Sequence, residues 1–107
     1  MERPMRLKCT VMKSDSAGMY LVRSELYDGT VCEFKTESHN VELNEALTEE
    51  RTVVEGWVNV HQIAKQSDIV KINLPSPSLV FGKLVNVKEW ALMPLGMSIN
   101  SFNSYKR

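Results

Sequence analysis

At 107 residues the chain has room for one domain and little more. Apolar side chains make up 43% of it and charged ones 24%, the mixture of a globular rather than a disordered chain. Thirteen basic and thirteen acidic residues cancel, so net charge selects no partner. Their distribution is uneven: residues 1–23 hold five basic and two acidic side chains, residues 24–51 two and eight, residues 52–107 six and three.

Met5 to Met12 alternate strictly. Met5, Leu7, Cys9 and Val11 take one face and Arg6, Lys8, Thr10 and Met12 the other, the period of a half-buried strand. Ser14 to Gly18 is turn chemistry. A second strand is predicted from Met19 to Leu26 and a third from Thr30 to Thr36. They are joined through Asp28-Gly29, a pair that favours a type I′ hairpin turn. Cys32 and Phe34 share one face of the third strand, and Phe34 is expected in the core. Asn40 as a cap, Glu42 in a first turn, and Leu43, Ala46 and Leu47 at i, i+3 and i+4 then predict a short helix ending near Arg51. Its glutamates are expected in solvent.

A fourth strand is expected from Thr52 to His61, with Val54, Val58 and Val60 on one side and Val53, Glu55, Trp57, Asn59 and His61 on the other. Gln62 to Asp68 reads as a polar connection, and Ile69 to Leu74 as a strand stopped by Pro75. Pro75-Ser76-Pro77-Ser78 demands a loop or a sheet edge, because proline cannot donate to a ladder. Leu79 to Leu92 supplies the last strand material, with Gly82 marking a turn or bulge.

The predicted fold is mostly β: a small five- to six-stranded OB-like barrel with one short helix between strands 3 and 4. It spans residues 1–94, and residues 95–107 form a C-terminal tail rich in Ser and Asn, expected to be flexible. The segment Val53-Val54-Glu55-Gly56-Trp57-Val58-Asn59-Val60, followed by Val85-Asn86-Val87-Lys88-Glu89-Trp90, is similar in layout to the last two strands of OB-type single-strand-binding proteins. The resemblance is one of strand rhythm over about the first nine-tenths of the chain, and small SH3-like barrels share such a rhythm.

Motifs for catalysis are missing from the sequence. Cys9, Cys32, His39 and His61 are isolated, with none of the close spacing that zinc requires, so no metal is expected. The two cysteines sit on alternating β patterns and read as buried free thiols. The five glycines are scattered singly, so no phosphate loop and no cofactor are expected, and the chain is read as a non-enzyme. No apolar run approaches the ~18 residues of a membrane-spanning helix, so no membrane partner is predicted. The start leads straight into a strand pattern without a secretory leader, so the expected setting is cytoplasmic.

Binding is the remaining chemistry. Single-stranded nucleic acid is held by cations that track the backbone and by aromatic faces on which bases stack. The predicted nucleic-acid-binding residues are Arg6, Lys8, Tyr20, Arg23, Trp57, Lys71 and Lys88, with Trp57 the leading platform because it shares a strand face with polar residues. Tyr27, Phe34 and Trp90 complete the aromatic candidates, and no residue is predicted to be catalytic. The alternative is a noncatalytic structural or assembly module, such as a phage or virus accessory protein, that binds a protein partner. A homodimer is compatible with either reading. Charge in space discriminates: Arg6, Lys8, Arg23 and Lys71 converging on Trp57 or Tyr20 favours nucleic acid, and an exposed apolar strip with scattered basic residues favours a protein partner.

Overall fold

The computed structural model describes residues 2–94. Eight strands follow one another: β1 (Arg3–Lys13), β2 (Met19–Glu25), β3 (Val31–Glu37), β4 (Val41–Leu43), β5 (Val53–Gln66), β6 (Ile69–Ser78), β7 (Gly82–Lys88) and β8 (Leu92–Pro94). The expected tail, residues 95–107, lies outside the described residues. The strands form one antiparallel sheet in the order β3-β2-β1-β5-β6-β7, with β4 added beside β5 and β8 beside β1. The sheet curls into a half-barrel. Its two ends approach each other, where the Leu79 N–H donates to the Glu33 carbonyl (3.1 Å) and the Tyr27 N–H to the Asn86 carbonyl (2.9 Å).

Period-two patterning sets the core. Leu7, Cys9 and Val11 of β1, Val22 of β2, Cys32 and Phe34 of β3, and Val54, Val58 and Val60 of β5 all point inward and are buried. Val70, Ile72 and Leu74 of β6 and Val85 and Val87 of β7 complete the lining. Each such side chain contributes about 1.5–3 kcal/mol of hydrophobic stabilisation. Both cysteines are free and buried, as their patterning implied.

The predicted helix is not there. Residues 38–40 make a single 3-10 turn, and Val41–Leu43 then lie down as β4 against Gly56–Val58. Val41 and Leu43 satisfy a strand's period, both pack against the core, and the Asn44 N–H donates to the Glu55 carbonyl (3.0 Å). Ala46, which would have sat on the helix's apolar face, is exposed and had little area to bury. β4 can approach because residue 56 is glycine: a Cβ there would sit 2.6 Å from the Glu42 carbonyl oxygen.

One turn and two strand boundaries also differ. The β2–β3 hairpin is not a type I′ turn: only Gly29 has a positive φ (88°), and Leu26 and Thr30 close a three-residue loop. The Asp28 carboxylate accepts from the Thr30 N–H (3.1 Å) and hydroxyl (2.7 Å), which holds this wider form. β5 runs on to Gln66 through the segment expected to be a connection, with a register shift between Gln62 and Ala64. β6 also continues through the Pro-Ser-Pro-Ser segment, but its pairing with β7 breaks between Asn73 and Ser78, where the prolines have no ladder bond to donate. Among the described residues no helix is long and apolar enough to cross a membrane.

Candidate nucleic-acid interface

One edge of β1 is interrupted. β2 pairs with β1 only from Thr10 to Lys13, and β8 joins the same edge only from Met5 to Leu7. Lys8 and Cys9 therefore face a gap in the ladder, bridged on one side by the Ser24 hydroxyl, which donates to the Lys8 carbonyl (2.9 Å). Over the gap lies the 3-10 turn Glu89–Ala91, which precedes β8. The result is a groove of about 580 Å³ lined by Lys8, Thr10, Arg23, Glu25, Glu55 and Trp90 among others. Trp90 is 53% exposed, and the Lys8 Nζ lies 5.8 Å from its ring centroid, within cation–π range.

The charges around the groove follow from register. Glu55, Thr10, Arg23 and Glu33 form one outward-facing row across β5, β1, β2 and β3. Arg23 donates through Nε to the Glu33 carboxylate, so its charge is shared. Extending the β1–β2 register past Arg23 sets Glu25 across the gap from Lys8. Cys9 forms part of the lining, but burial pushes its thiol up to about 12, with Cys32 adding to the effect. Burial raises Cys32 as well, so both thiols stay protonated at neutral pH and neither offers a thiolate there. Among the described residues no three His, Cys, Asp or Glu side chains gather as a metal would require.

The seven predicted residues divide. Lys8 and Arg23 meet at the groove. Arg6 lies on the same outward face, but its guanidinium is bound to Glu42 of β4 in a bridge laid across β5. Trp57 keeps the predicted face, registered between Lys8 of β1 and Glu42 of β4, yet it is only 7% exposed and offers no platform. Tyr20 points to the inward face beside Thr36 and packs against the core. Lys71 is outward on β6 but registered against Ala64, seven residues along β5 from Trp57. Lys88 is paired with Asp68 (3.3 Å) at the β5–β6 turn. Eight lining residues lie outside the predicted seven; of these Trp90 was named only as an aromatic candidate, and Thr10, Glu25 and Glu55 were not singled out for binding. A signal existed for Trp90: with Val85 and Val87 inward, alternation carried through the expected strand material Leu79 to Leu92 puts residue 90 outward, although β7 itself ends at Lys88 and Trp90 sits in the 3-10 turn.

No family model, no curated protein and no solved structure matches this chain.

A second exposed feature lies at the β6–β7 hairpin tip. Leu79 and Val80 are 80% and 81% exposed, with Phe81 and Leu84 beside them also in solvent. The tip is held in shape: the Ser78 hydroxyl accepts from the Phe81 N–H (3.0 Å) and donates to the Gly82 carbonyl (2.8 Å). Gly82 makes the turn with φ +73°. No residue from 72 to 82 carries a charge.

Proposed function

We propose that the chain is an OB-like barrel that binds single-stranded nucleic acid, without catalysis, at the groove between β2 and β8. The observation that carries this reading is Trp90 with Lys8 5.8 Å from its ring: an aromatic face for a base beside a cation for its phosphate. Strand order supports the OB-like part. β5 lies beside β1 after the β1–β2–β3 meander, which is the order of a Greek key, the plan on which OB barrels are built. Two unpaired buried thiols suit a reducing, cytoplasmic setting.

Arg6, Arg23 and Lys88 are each engaged by a carboxylate, so stacking outweighs counterion release and the salt dependence is shallow. The test is titration with oligo-dT at low and moderate salt, read by tryptophan emission. Trp90→Ala weakens binding by roughly five- to 150-fold, equivalent to ~1–3 kcal/mol for one stacked base, and leaves the circular dichroism unchanged. Lys8→Ala weakens it uniformly across sequences and flattens the salt slope further. Unaltered affinity in Trp90→Ala removes the groove as the binding site.

A second reading, a noncatalytic assembly module docking a protein partner or a second copy, is favoured by the apolar hairpin tip. An ordered, uncharged tip with two side chains about four-fifths exposed is costly to leave in water.

A further inference from the structure

The groove holds two carboxylates that phosphate binding does not explain. Glu25 and Glu55 both line it, and neither is in an ion pair with any described residue, whereas six other acidic side chains of the sheet and its loops are paired with Lys or Arg. Against a phosphate they are repulsive. Against the edge of a base they are acceptors, and the bases differ in what they present to an acceptor. Guanine offers two adjacent donors, its ring N1–H and its 2-amino group, which a carboxylate takes in a two-bonded contact. Adenine and cytosine offer one amino donor beside a ring acceptor. Thymine and uracil present one N–H between two carbonyls, both of which a carboxylate repels.

We infer that the groove is a guanine-selective subsite: a single unpaired guanine stacks on Trp90, Lys8 meets its phosphate, and Glu25 or Glu55 accepts from its Watson–Crick edge. This rests on the single-strand reading above and adds to it a sequence preference. The groove, about 580 Å³, lies within the range of small-molecule pockets and has room for one base. Bases splayed from a single strand are commonly read in this way, on an aromatic face and by their Watson–Crick edge.

The experiment uses nine-nucleotide strands of dT in which only the central base varies: G, inosine, A, C or T. Inosine keeps the N1–H and lacks the 2-amino group. The central G is expected to bind about tenfold more tightly than T, with inosine between them. A Glu25→Gln, Glu55→Gln double variant is expected to lose that preference while binding the all-T strand at least as well as the native protein. Equal affinity for G, inosine and T, with the all-T strand still bound, overturns the guanine subsite and leaves the single-strand reading standing. Failure of every strand to quench tryptophan emission at low salt overturns both.

Discussion

Trp57→Ala removes a large side chain enclosed between Lys8 and Glu42, so it should destabilise the fold by about 3–5 kcal/mol, the usual range for truncating a buried tryptophan. Urea melts followed by circular dichroism measure this, and a change below ~1 kcal/mol contradicts the burial. The loss in Trp90→Ala should be small by the same assay, since that ring is half in solvent. Alternation in the sequence placed Trp57 on the outward face of its strand, and there it lies. What alternation could not supply is the strand that crosses beside it. Residues 41–43 read as helix, and only as β4 do they bring Glu42 alongside the ring. The error over one tryptophan and the error over one element have a single cause. Lys8 and Arg23 were legible as outward cations, but their meeting depends on where β2 leaves β1, which no local pattern encodes.

At the scale of elements, β4 depends on the absence of a side chain at position 56. Gly56→Ala would press a methyl group into the Glu42 carbonyl, with Val11 Cγ2 3.3 Å away on another side. Overpacking of this kind costs about 1–3 kcal/mol. Relief is expected through movement of β4 away from β5, which would wet Trp57, so the variant should show red-shifted tryptophan emission as well as a lower urea midpoint. A variant as stable as the native protein with unchanged emission shows that β4 does not approach as closely as described. Strand positions were the readable part of this fold: β1, β2 and β3 fall within two residues of their sequence-based limits, because period two is explicit there. Where β5 and β6 outran their expected ends, the cause was hairpin pairing that carries polar residues and prolines along with it.

At the scale of the whole molecule the formal charges cancel, and six Lys or Arg side chains are neutralised locally by a paired carboxylate among the described residues. Two Lys or Arg pairs, Arg6–Glu42 and Arg23–Glu33, lie on the same outward face as the groove, which limits how strongly the molecule attracts a polyanion. The apolar hairpin tip is the competing feature. A Leu79→Ser, Val80→Ser double variant should fold normally, since both side chains are in solvent. If the tip is a docking surface, this change lowers the sedimenting mass of any self-associated species, or abolishes capture by a protein partner, without altering oligonucleotide affinity. Unchanged sedimentation and unchanged partner capture return the tip to the status of an uncommitted loop.

The central ladder joins residues that are far apart in the chain: Arg3 is registered on Gln62 and Met12 on Val53. Closing it requires a loop of about forty to sixty residues before any of its contacts form, an entropic barrier that grows only slowly with loop length but precedes all reward. Folding dominated by such pairings falls in the millisecond-to-second range for domains of this size. During synthesis the β1–β3 meander is complete well before β5 has been made, so β1 spends that interval with one edge open. The strand at the middle of the finished sheet is thus, for a time, the exposed edge of a half-made one, the stage at which pairing with a wrong strand is easiest.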